Sequence, residues 1–112
     1  MPEVQDKVAA VVGQKVRIEV TSWLTRYVGG DGSGRVYFDQ EFAPGESLKA
    51  VLHRFGQRLP ELDRVLWDPE SGDLWEYVEI IVNDAFLGIN HTMDSEVRDG
   101  DRITLMEAFE GG

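Results

Sequence analysis

Glu79-Ile80-Ile81-Val82-Asn83-Asp84 opens the final third of this 112-residue chain and reads as a strand running into a turn. Asp99-Gly100-Asp101 is a second turn, Arg102-Ile103-Thr104-Leu105-Met106 a second strand, and Glu110-Gly111-Gly112 closes the sequence. A strand that delivers Gly-Gly to a terminus presents one chemically usable group, the α-carboxylate of Gly112. By chance, with glycine at about 7% of residues, roughly one chain in 200 ends this way. The tail therefore gains weight only from what precedes it.

Upstream, Lys15 to Trp23 alternates, with Val16, Ile18 and Val20 on one face and Arg17, Glu19 and Thr21 on the other. Leu24 to Gly30 leaves this strand into the Gly29–Gly34 loop. Arg35 to Phe42 alternates again, Val36, Phe38 and Phe42 sharing a face, so the two strands form a hairpin. Ser47 is placed as an N-cap. Leu48, Val51, Leu52, Phe55 and Leu59 then form an amphipathic stripe, which Pro60 is expected to close. Leu62–Trp67 is a short apolar stretch and Asp68–Asp73 a turn. Leu74–Val82 is a strand with Val78, Ile80 and Val82 inward. Ala85–Val97 is irregular, with Phe86, Leu87, Ile89, Met93 and Val97 available for packing, and Arg102–Phe109 is the final strand.

This order predicts an α+β fold, a mixed sheet with one main helix on one face. Residues 1–14 have weak periodicity and read as an extension, and 15–112 as one domain. A formal net charge of −10 argues against nucleic acid and anionic membrane, and favours partners with basic faces. The start of the chain is unlike a signal peptide, and no apolar run reaches the length of a membrane span. With no cysteine the chain fits the cytoplasm, and it cannot carry sulfur, acyl groups or zinc on a thiol.

In element order from Val16 to Gly112, the chain resembles the molybdopterin-synthase small subunit and thiamine sulfur-carrier family, the MoaD/ThiS-type ubiquitin-like proteins. Three segments carry specific matches: Leu24–Gly30, Ile81-Val82-Asn83 and Asp99–Gly112. The resemblance implies a β-grasp, with the last strand in mid-sheet beside the first. It also implies that Gly112 is adenylated by a ubiquitin-activating-type enzyme using ATP and Mg²⁺, then converted to a thiocarboxylate. Glu110 and Gly111 would enter the partner's active site, and Phe109 and Phe86 would contact the partner. The chain itself would bind no cofactor and would be carrier rather than enzyme. Within the family the inserted Asp68–Tyr77 favours the molybdopterin type, whose sulfur acceptor sits on the synthase large subunit. Ala108-Phe109-Glu110 departs from the small apolar residues that often precede Gly-Gly in the family.

Two other readings stand beside this one: a ubiquitin-like modifier joined to lysines, and a non-covalent β-grasp interaction module. No catalytic or metal site emerges from the remaining residues. His53 and His91 lack carboxylate neighbours at ligand spacing, with His53 expected on the surface. The Gly29–Gly34 loop lacks the strand–loop–helix context of a phosphate site. Trp67, Trp75 and Phe86 suit a core, or a partner surface where exposed.

Overall fold

In the computed structural model, which describes residues 14–108, alternation forms the first two strands. β1 (Lys15–Thr21) buries Val16, Ile18 and Val20 completely. β2 (Arg35–Glu41) runs antiparallel to it, with Lys15 opposite Glu41 and Thr21 opposite Arg35. Between them, Ser22–Val28 is a 3₁₀ helix ending at Gly29, whose φ of 92° suits a residue without Cβ. Its Leu24 and Thr25 are fully buried. Gln40 continues the inward row of β2, its Oε1 accepting from Arg58 Nη1 at 2.6 Å.

Ser47 caps α1 (Leu48–Arg58) as expected, its Oγ accepting from Ala50 N at 3.1 Å. The two preceding helical donors, Leu48 N and Lys49 N, go to Ser95 O and Met93 O at 2.8 and 2.9 Å. The helix start is thus satisfied by its own cap and by the loop before β5. Leu48, Val51, Leu52 and Phe55 are buried against the sheet.

Pro60 ends α1 but also begins α2 (Pro60–Leu66), which corrects the expectation of a single main helix followed by an apolar stretch. Proline suits a first helical position because its φ is preset there and its missing N–H is not needed. Leu62 and Leu66 of α2 are fully buried.

β3 (Val78–Val82) starts later than the predicted Leu74, because Trp75 N donates to Leu66 O at 2.9 Å and Leu74 bridges only Trp67. Asn83 and Asp84 have φ of 49° and 77°, the left-handed pair that a two-residue hairpin turn demands. This turn leads into the two-residue β4 (Ala85–Phe86). Ile89, read as a packing residue, is 68% exposed, whereas Leu87 and Met93 lie against the core and Val97 is buried.

β5 (Arg102–Glu107) takes the centre of a sheet ordered β2-β1-β5-β3-β4. It is parallel to β1, with Ile18 opposite Ile103, and antiparallel to β3, with Ile80 opposite Leu105. A first strand beside a parallel last strand, with helices over one face, is the β-grasp. The predicted Phe109 end of the last strand and residues 1–13 of the extension lie outside the described residues.

Leu52 is fully buried in the centre of the α1 stripe. Leu52→Ala should therefore cost about 2–5 kcal/mol of unfolding free energy in urea denaturation.

Candidate functional site

β5 matters functionally because it leads to the C-terminal tail, so its two ends and its open face define the site. At its start, the Arg98–Asp101 turn holds three strands together. Asp101 is 9% exposed, and its Oδ1 accepts from Asn83 Nδ2 at 2.9 Å while Oδ2 accepts from Arg98 N at 2.8 Å. Asn83 Oδ1 in turn accepts from Arg102 N at 2.9 Å, and Asn83 N donates to Arg102 O at 2.9 Å. Toward β1, Arg17 N donates to Asp101 O and Gly100 N to Lys15 O, both at 2.8 Å. Asp99 Oδ1 adds an acceptor for Lys15 N at 2.9 Å. Gly100 has a φ of 86°, which lets the turn reverse here.

At the far end, Thr21 Oγ1 donates to Leu105 O at 3.1 Å and Ala108 N donates to Tyr77 O at 2.7 Å. Tyr77 is anchored in turn by its hydroxyl, which donates to Val65 O at 2.9 Å, and by stacking on Trp75 at 5.9 Å between centroids. Burial, and secondarily the neighbouring Tyr27, push the Tyr77 phenol above its ordinary pKa, so it stays a protonated donor.

The helices cover one face of the sheet, and among the described residues no element covers the other, the open face. Cross-strand pairing sets one row on that open face: Tyr37, Glu19, Thr104, Ile81 and Phe86, one residue from each strand. Its ends are exposed aromatics, Tyr37 at 52% and Phe86 at 48%. Between them lies a shallow groove of about 610 Å³ that includes Thr21, Ile81, Thr104 and Met106. Two ion pairs rim it, Arg35–Glu19 at 2.8 Å and Arg102–Asp84 at 2.9 Å.

Phe86, expected at a partner contact, therefore sits on the open face. Phe109, Glu110, Gly111 and Gly112 lie outside the described residues. Trp67 is buried and carries His53 stacked on it at 3.9 Å, with the histidine on the surface as expected; Trp75 is half-buried. Among the described residues no group of three or more His, Cys, Asp or Glu is placed to hold a metal ion, and no helix is long and apolar enough to cross a membrane. Sequence reasoning missed Tyr37, Tyr77 and Thr104. Strand alternation alone places Tyr37 and Thr104 on the outward face, whereas nothing local marks Tyr77.

Comparison with known proteins places the fold and the family. The fold is that of ubiquitin-like proteins: SAMP1 from Haloferax volcanii superposes with a TM-score of 0.67 at 16% identity, covering 88% of this chain and 99% of that one. The family model described as the ThiS family matches residues 34–112, and the chain belongs to that family. The sulfur carrier protein CysO of Mycobacterium tuberculosis is 29% identical over 98 residues, covering 87% of this chain and 98% of the relative. The crystal structure of Mycobacterium tuberculosis CysO has a TM-score of 0.63 at 27% identity, covering 84% of this chain and 99% of that one.

Because Asp101 accepts two hydrogen bonds while almost fully buried, Asp101→Ala leaves Asn83 Nδ2 and Arg98 N without these acceptors. The expected loss is about 2–3 kcal/mol in urea denaturation. Hydrogen exchange should rise first at the Arg17 and Arg102 amides.

Proposed function

We propose that this protein is a ubiquitin-like sulfur carrier in which the Gly112 carboxylate is the reacting group. The observation that carries this is β5 itself: a strand locked in mid-sheet at both ends and followed in sequence by Gly111-Gly112, in a chain of the ThiS family. A carboxylate with a pKa of roughly 3.5 is ionised at neutral pH and is a poor electrophile. Its oxygen attacks the α-phosphorus of ATP on an adenylating enzyme, pyrophosphate leaves, and a mixed anhydride forms. Hydrosulfide or an equivalent sulfur nucleophile then displaces AMP, leaving a thiocarboxylate. Mg²⁺ and ATP belong to the enzyme, and this chain is the substrate. Glycine suits residues 111 and 112 because a side chain there would fill a narrow channel and restrict the backbone.

The open face is where the enzyme docks in this reading, with Phe86 and Tyr37 as aromatic anchors at its two edges. It carries Lys15, Arg17, Arg35 and Arg102 among Glu19, Asp39, Glu41, Glu79 and Asp84, so it is nearly charge-balanced. The acidic surplus of the chain thus lies elsewhere, where it steers association with basic partners.

Two recipients for the sulfur divide the reading. The sequence resemblance and the Asp68–Tyr77 insertion support a molybdopterin precursor on a synthase large subunit. The identity to CysO, along nearly the whole of that carrier, supports a CysO-type recipient, and we take this as the stronger support. The likeness to SAMP1 at 16% identity concerns the fold and adds nothing for a lysine modifier.

Intact mass after incubation with an adenylating enzyme, ATP and hydrosulfide tests the carrier reading. The wild type should gain about 16 Da, oxygen replaced by sulfur. Deletion of Gly112 and Gly111→Val should abolish the gain without unfolding the domain. A gain in the deletion variant would overturn the reading. Mixing the thiocarboxylated chain with a molybdopterin-synthase large subunit and its precursor then separates the recipients: sulfur is lost in the first case and retained in the second.

A further inference from the structure

The segment between the Asp68–Asp73 turn and β3 is a strap tied at three points to α2 and the Trp67 that follows it, and to the tail root at one. Leu74 bridges Trp67, Trp75 N donates to Leu66 O, and the Tyr77 hydroxyl donates to Val65 O. The Tyr77 carbonyl then accepts from Ala108 N at 2.7 Å, one residue beyond the Val78–Glu107 pair that ends the β3–β5 register. Among the described residues this is the last backbone bond before Phe109. Trp75 and Tyr77 stack nearly parallel at 12°, and Trp23 meets Tyr27 edge-on at 5.2 Å on the 3₁₀ helix.

Leu74 and Trp75 pack against the edge of the core, but Tyr77 does not. Tyr77 is 38% exposed and its polar tip is spent on a helix carbonyl, so its place in the strap is not explained by burial. Among the described residues, the strap's backbone link to the tail root is the bond to Ala108. Resting on the carrier reading above, we infer that the Leu74–Tyr77 strap fixes the point and direction from which the tail enters the adenylating enzyme, with Tyr77 as its positioning residue. Phe109–Gly112 spans about 14 Å at most when extended. Freeing Ala108 would move the last described anchor of the tail back by about 3.4 Å, and errors of about 1 Å already cost on the order of 100-fold in a proximity-dependent step.

The test is ATP–pyrophosphate exchange by the cognate adenylating enzyme, with kcat and KM for the carrier measured separately. Ala108→Pro deletes the donor at the end of the strand, and Ala108→Gly keeps it. Tyr77→Ala removes the ring stack and the Val65 tie, and Tyr77→Phe keeps the ring. The first of each pair should lower kcat between about tenfold and 100-fold, with KM held within about twofold because the open face is unchanged. Ala108→Gly and Tyr77→Phe should retain most of the wild-type kcat. Thermal unfolding reports whether each variant folds, and Ala108→Pro, outside the core, decides if Tyr77→Ala does not. Unchanged kcat in Ala108→Pro, an equal loss in Ala108→Gly, or a KM that rises with the loss would overturn the strap. If the wild type itself supports no exchange, the carrier reading fails and the strap falls with it. Exchange by the wild type with no difference among the variants removes the strap alone.

Discussion

The Asp101 carboxylate is the constraint on which the rest of the fold hangs. A parallel pair of first and last strands has no hairpin to set its register, since the two are separated by most of the chain. Here one buried carboxylate sets it. Asp101 holds the Arg98 amide, so the turn closes, and holds the Asn83 side chain, so β3 lies where β5 needs a second neighbour. Its own carbonyl takes the Arg17 amide of β1. A register slip of one residue would turn Ile103 and Leu105 out to the open face and Arg102 and Thr104 into the core. The function proposed for the tail needs that register, because it decides which residue emerges at the end of the strand.

The same geometry separates the labour of the molecule. The helix side is a closed core, with α1 fixed at its start by Ser47 and by carbonyls of the loop before β5. The open side is a shallowly grooved, nearly charge-balanced face with an aromatic at each edge, suited to a partner that docks and leaves. The tail root joins the two sides, since the strap from α2 and the central strand meet at Ala108.

Much of this was legible in the sequence because it depends on periodicity. The Val16-Ile18-Val20 alternation, the Leu48-Val51-Leu52-Phe55 stripe and the Ser47 cap each follow from local rules, and the structure shows all three. Pro60 was misread because a residue that stops one helix is equally suited to start another. The 3₁₀ helix Ser22–Val28 was missed because its seven residues, at about three per turn, are too few to leave a clear periodic signal. Ile89 was misassigned to packing because hydrophobicity in an irregular loop carries no face. At the site, Phe86 was legible only as an aromatic outside a clear period. The Asn83–Asp101 bond and the Tyr77–Ala108 bond were not legible at all, since each joins residues distant in sequence through one specific contact.

The absence of cysteine makes the central claim directly measurable. In this chain a thiol-alkylating reagent finds no side-chain thiol, so iodoacetamide becomes a reporter for sulfur at the terminus. The protein should be isolated from its own cells into iodoacetamide, and its C-terminal peptide sequenced by tandem mass spectrometry. The account predicts an alkylated thiocarboxylate on Gly112. An unmodified carboxylate as the sole form, or Gly112 joined to a lysine, would contradict it.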